Sequence, residues 1–188
     1  MQQNNPIMSY HTSKKLPYGV SNFITIVEQN NYYVDKTMYI PMLEDEASNL
    51  FFIRPRRFGK SLFLGMLHAY YDCRTKDKFE QWFGKLWIGQ HPTPNQGRYQ
   101  VLHLDFSQVG GKIEKLEENF DFYLGINLDG FVRDYAEYYS EETRKKVYET
   151  TYAGGKLAII QNEARTKNYP LYLIIDEYDN FTNTVLNE

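Results

Sequence analysis

A four-residue apolar run at residues 50–53 (LFFI) leads through the eight residues RPRRFGKS into a ten-residue apolar run at residues 62–71 (LFLGMLHAYY). Four apolar residues in a row suit a short strand covered on both faces, and ten suit a helix buried against a sheet. Strand, tight loop and helix without a gap point to an α/β arrangement. The loop itself resembles a phosphate-binding turn. In that motif a Gly, four residues and then Gly-Lys-Ser/Thr let successive backbone N–H groups wrap a phosphate, while Lys reaches the β/γ oxygens and the hydroxyl ligates Mg²⁺. Gly59, Lys60 and Ser61 match its second half. Arg54 stands where the first Gly is expected, a place where Gly turns without a Cβ penalty, and Pro55 offsets part of that by fixing φ. The plainer alternative is a solvated basic loop or a nucleic-acid patch, since four of these eight residues are cationic.

A second signal lies downstream in residues 171–177 (LYLIIDE). Five apolar residues suit a strand covered on both faces, and Pro170 occupies its start without costing a ladder hydrogen bond. An acid at the C-terminal end of such a strand points into the crevice where ligands of open α/β sheets bind. Asp176 is then expected to hold the hydration shell of Mg²⁺, and Glu177 to polarise a water for attack on a γ-phosphate. The alternative is a core strand that ends in a charged turn. Both signals occur in the chain order that a nucleoside triphosphate site requires.

Between and before them the pattern is coarser. Residues 1–15 read as a flexible polar tail and residues 16–188 as one domain. A short helix is expected near residues 22–29, a brief strand at residues 32–34, and a helix over residues 36–46 with Asp35 as its N-cap. Residues 99–106 alternate as a strand, which brings Asp105 to the same end as Asp176, as a nucleotide contact or a turn cap. Residues 113–168 read as a helical insertion broken at Gly125, near Ser140 and at Gly154-Gly155. His11, His68, His91 and His103 lack metal-ligand spacing.

The single cysteine, Cys73, excludes an internal disulfide, and no apolar run approaches the ~20 residues of a membrane span. The N-terminus has no apolar signal-peptide core, so a cytoplasmic location is expected. A formal net charge of −3 provides no basic face for wrapping duplex nucleic acid. The 17 tyrosines are spread along the chain, as core and surface residues are, rather than interleaved with Lys and Arg as stacking platforms.

Five blocks, LPYGVSNF, YYVDKTMYI, RPRRFGKSL, VLHLDFS and LIIDEYDNF, together resemble the AAA-ATPase-like family of bacterial proteins, in which the Arg-rich loop form is a family trait. The resemblance runs from Leu16 to Phe181. It implies a P-loop NTPase fold of the additional-strand, AAA-like kind, a parallel sheet with flanking helices, and ATP with Mg²⁺ as ligands. Lys60 and Glu177 take the catalytic roles, Ser61 and Asp176 those of metal ligands, in a Walker A and Walker B pair. By position the resemblance puts Tyr33, Val34, Asp35 and Lys36 on the adenine side, and Arg56, Arg57, Phe58, Gly59 and Leu62 on the nucleotide with the loop. Arg56 and Arg57 are left open between phosphate and a neighbouring subunit. The family often carries a C-terminal nuclease-like domain of the PD-(D/E)XK type, an expected partner beside ATP and a possible homo-oligomer.

Such folds place a further strand, later in sequence, between the loop strand and the Walker B strand. The 188-residue chain is therefore expected to be truncated before that strand, with a gap or rearranged pairing there, and to bind nucleotide while hydrolysing it poorly. Two alternatives stay open: a non-catalytic nucleotide switch linked to a nucleic-acid-acting domain, and a P-loop kinase. The adjacent Asp176 and Glu177 argue against the kinase, because a neighbouring Glu suits activation of water.

Overall fold

Two parallel strands, β1 (Gln100–Asp105) and β2 (Leu171–Asp176), pair in continuous register, with Gln100 opposite Leu171 and Asp105 opposite Asp176. The computed structural model describes residues 14–46, 49–53, 55 and 57–179. The expected N-terminal tail therefore lies largely outside the described residues, as do Arg54, Arg56 and Phe181. Parallel pairing demands a long crossover, and the helical insertion supplies it. Helices α6 (Leu116–Asp134), α7 (Glu141–Glu149) and α8 (Ala153–Thr166) all lie between the two strands in sequence.

Before β1 come α1 (Phe23–Glu28), α2 (Ile40–Asp45), α3 (Lys60–Tyr71), α4 (Phe79–Phe83) and α5 (Trp87–Gln90). The Asn22 side chain caps α1 by accepting from the Thr25 N–H at 2.9 Å, and Phe23 and Ile26 are buried. Gly59, left-handed at φ 76°, starts α3, which buries Phe63, Met66, Leu67, Tyr70 and Tyr71. That breadth of burial fits a helix packed between a sheet and other helices. Ser140 caps α7 as expected, accepting from the Thr143 N–H at 3.1 Å.

The two faces of the sheet hold separate cores. On one, α3 packs over Val101 and Ile174, with Tyr71 stacked on Tyr172 at 4.6 Å between ring centroids. On the other, Leu102 and Leu104 join Leu128, Val132, Val147 and Ile160 of the crossover helices. Strand alternation sends neighbouring residues to opposite faces, so each strand feeds both cores.

The outer edge of β1 is closed by side chains. Tyr135 accepts from the Val101 N–H at 2.8 Å; Tyr123 accepts from the Asp105 N–H at 2.9 Å and donates to the Asp105 carbonyl at 2.8 Å. Part of the tyrosine excess thus replaces a missing strand.

Several sequence expectations are corrected. Residues 50–53 form no strand: among the described residues the sheet has only β1 and β2, and Phe51 and Ile53 are 82% and 80% exposed. A strand is defined by its ladder, and this run pairs with neither β1 nor β2. Residues 32–34 are likewise unpaired by any strand. β2 is not covered on both faces, since Leu173 is 54% exposed. Gly125 does not break α6, where tertiary packing outweighs the ~1 kcal/mol that Gly costs in a helix, and the break expected at Gly154-Gly155 falls just before them, between Glu149 at the end of α7 and Ala153 at the start of α8.

Candidate functional site

The N-terminus of α3 meets the C-terminal end of β2. Lys60 Nζ lies 3.1 Å from Asp176 Oδ1 and 3.5 Å from Glu177 Oε1, and 5.6 Å from the centre of the Tyr178 ring. The Ser61 hydroxyl also bonds Asp176, and the Glu177 N–H donates to Asp176 Oδ1 at 2.9 Å. Two pairs far apart in sequence, Lys60 with Ser61 and Asp176 with Glu177, thus converge on one point.

The charges at this point are held firmly. Burial pushes the Asp176 carboxyl up, but Ser61, Lys60 and the Glu177 N–H outweigh it and the net shift is downward. For Lys60, burial pulls the ammonium down while Asp176 and then Glu177 raise it, and the net shift is upward. Both therefore stay charged at neutral pH. Asp176 is buried, whereas the Glu177 side chain is 42% exposed, so the two adjacent acids face different surroundings.

Unusual backbone surrounds the convergence. Arg57 (φ 68°), Gly59 (φ 76°) and Glu177 (φ 52°) all adopt left-handed conformations, which non-Gly residues take rarely and which concentrate at ligand clamps. Phe63 N–H to Gly59 carbonyl, at 3.0 Å, is an early rung of the α3 ladder. The N–H groups of Lys60, Ser61 and Leu62 precede it and form the positive end of a twelve-residue helix.

Against the same loop lies a cavity of ≈ 350 Å³, lined by Phe58, Gly59 and Leu62 on one side and by Tyr33, Val34 and Lys36 on the other. Its size falls in the range of small-molecule pockets, ~300–1,000 Å³. Burial, then Asp35, raises the Tyr33 phenol well above its usual range, and it remains neutral. Asp35 is not among the lining residues. Its Oδ1 accepts from the Thr37 N–H (2.8 Å) and hydroxyl (2.7 Å), and its Oδ2 accepts from the Trp87 N–H (2.7 Å). Asp35 therefore shapes the turn into the following 3₁₀ helix and ties it to α5, close to its expected capping role and away from the base-side role.

Asp105 accepts from the Ser107 N–H at 2.9 Å, the turn cap of the two expectations. Pro17, Val20 and Ile26 also line the cavity and were not foreseen. The signal for Pro17 and Val20 was the LPYGV block, which folds back as a turn with Val20 N–H on the Pro17 carbonyl at 3.3 Å, while Ile26 comes from α1. The His68–His103 contact, at 3.4 Å, was equally unforeseen, because the two residues lie on different elements. Among the described residues no cluster of three or more His, Cys, Asp or Glu is arranged to hold a metal, and no helix is long and apolar enough to cross a membrane.

A family model described as AAA-ATPase-like, predicted AAA-ATPase, matches residues 17–188, and the chain belongs to that family. A relative from Azotobacter chroococcum mcd 1, designated "Uncharacterized protein in vnfD 5'region", is 51% identical over 119 residues. That match covers 60% of this chain and 22% of the relative. No solved structure matches.

Proposed function

We propose that this chain binds ATP as the P-loop part of an AAA-like ATPase, with the triphosphate on the N-terminus of α3 and the adenine in the cavity beside Tyr33 and Val34. The observation that carries this is the Lys60 ammonium, shared between Asp176 and Glu177 at the mouth of the positive helix end. Helix-end N–H groups and an ammonium favour an anion there, and the apolar cavity on the other side of Gly59 suits a flat base.

Family membership supports nucleotide use; the finer roles are inferred from position. The Ser61 hydroxyl and Asp176 carboxylate, already bonded to each other, are the donor types that hold Mg²⁺ beside a phosphate, and the ion would neutralise charge on phosphate oxygens. Lys60 binds and orients the phosphates. Glu177, exposed where its neighbour is buried, accepts the proton of an attacking water and aligns it. Arg57, displayed on the exposed loop, adds positive potential toward the incoming triphosphate.

Titration of a fluorescent ATP analogue in Mg²⁺ tests the binding reading. Lys60→Ala is expected to weaken affinity about 100-fold, the scale for removing one partner of a desolvated charge pair. Equal affinity in both proteins overturns the assignment. In the full-length protein, Glu177→Gln is expected to lower phosphate release about 100-fold while shifting binding far less.

A further inference from the structure

Below the proposed phosphate site, α3 and β1 touch through two imidazoles. His68 lies seven residues after Ser61 on α3, two turns further along the same side of the helix. His103 lies two residues before Asp105 on β1 and so on the same face of the sheet, about 7 Å along the strand. Asp105 is in register with Asp176, so the pair links the loop helix to the strand ends that carry the acids.

The contact has a defined proton content. The two Nδ1 atoms are 3.4 Å apart and the ring centroids 5.6 Å apart, so the rings meet nearly end to end through these nitrogens. Such a contact holds only if one nitrogen carries hydrogen and the other presents its lone pair. His68 Nε2 lies 3.3 Å from Asp72 Oδ2, an acceptor, and therefore carries hydrogen. Asp72 is itself fixed by Arg74, whose Nη2 lies 2.8 Å from Oδ2 and whose N–H donates to Oδ1 at 2.9 Å. In the neutral pair, then, His103 Nδ1–H donates to the bare Nδ1 of His68. One added proton can be accommodated. A second puts hydrogen on both facing nitrogens and forces them apart.

We propose that His68 and His103 act as positioning residues, a one-proton latch that holds the loop helix against the sheet, so that acidification opens the latch and weakens nucleotide binding. This rests on the ATP reading above and adds a control to that same site. The charged and titratable groups around the pair are Asp72 at the C-cap of α3, Arg74 after it, Asp105 on β1 and Asp176 at the end of β2. Burial, and then the neighbouring His68, lower the proton affinity of His103, while Asp176 and Asp105 work against them; the net direction is downward. The neutral His103 imidazole is therefore favoured near neutral pH.

Two measurements test this. Imidazole ¹⁵N spectra of the chain at about pH 8 are expected to show His103 carrying hydrogen on Nδ1 and His68 on Nε2; the reverse tautomer at either ring overturns the latch. Affinity for a fluorescent ATP analogue in Mg²⁺ is then compared at about pH 8 and about pH 4.5, the latter well below the ordinary histidine value so that both rings are protonated, in wild type, His103→Asn and His68→Gln. Nucleotide protonation affects all three alike, so the difference between profiles is the readout. The wild-type ratio is expected to exceed that of the folded variants about tenfold, and superimposable profiles overturn the positioning role. If wild type fails to bind even at the higher pH, the ATP reading falls and takes the positioning role with it, whereas reversed imidazole tautomers alone sink only the latch.

Discussion

Along the outer edge of β1, the hydroxyls of Tyr135 and Tyr123 bond the strand's backbone, whereas β2 has no third strand beside it among the described residues and leaves Leu173 exposed. The first edge belongs to the crossover side, where Asp72, Arg74 and the tyrosines form a continuous polar seam over a buried core. The second faces the loop arm, where residues 50–53 run extended and the Phe51 ring meets Tyr178 at 6.2 Å between centroids. One side is fixed by many mutually supporting bonds. The other rests on the apolar packing of α3 over Val101 and Ile174, and at the strand end Lys60 adds ion pairs with the two acids.

The contrast is easiest to break by truncation. Tyr135→Ala is expected to lower unfolding free energy by about 3–5 kcal/mol, and Leu173→Ala by less than about 0.5 kcal/mol, in parallel urea titrations. Similar losses at the two positions would show that the edges are equally packed. Removing only the hydroxyl sharpens the point: Tyr135→Phe leaves the buried Val101 N–H without its partner and is expected to cost about 1–3 kcal/mol.

Acid probes the same seam. Burial raises the Asp72 carboxyl, but bonds from His68 and Arg74 outweigh it and lower the group from 3.8 to about 2. A depressed carboxyl contributes stability that is complete above its unfolded value, 3.8, and is lost as pH falls through that value toward 2. The contribution is about 2 kcal/mol. Asp72→Asn should lose it at neutral pH and show a flatter stability profile between about pH 4 and 2, followed by circular dichroism.

The smallest effects concern glycine. Nothing lies within 4 Å of the position that a methyl on Gly59 would take, but the residue needs φ 76°, so Gly59→Ala should destabilise by about 1 kcal/mol. Gly125 sits in the middle of α6 with equally open space around it, so Gly125→Ala should stabilise by about 0.5–1 kcal/mol. Opposite signs in thermal unfolding are the expected result.

Much of the site was legible because its signals are local. Gly59-Lys60-Ser61 opens a helix, and Asp176-Glu177 ends a strand, and both motifs state their own secondary-structure context. The cavity was legible only in part, since Tyr33 and Val34 were named from resemblance while Pro17 and Val20 come from a turn, and Ile26 from α1, whose approach to the loop no short pattern announces. Asp35 was named for the base side from resemblance, and its bond to the Trp87 N–H, 52 residues on, was not legible because proximity in sequence says nothing about it.

The sequence by itself determined where α1, α3 and α7 start and which side chains have the chemistry expected of a phosphate site, because caps and side-chain chemistry act over a few residues. Only the tertiary structure decided that residues 50–53 are not a strand, that tyrosines close the edge of β1, and that His68 meets His103. Each of these depends on which distant group supplies a hydrogen-bond partner, and partnership across space is set by packing of the whole chain.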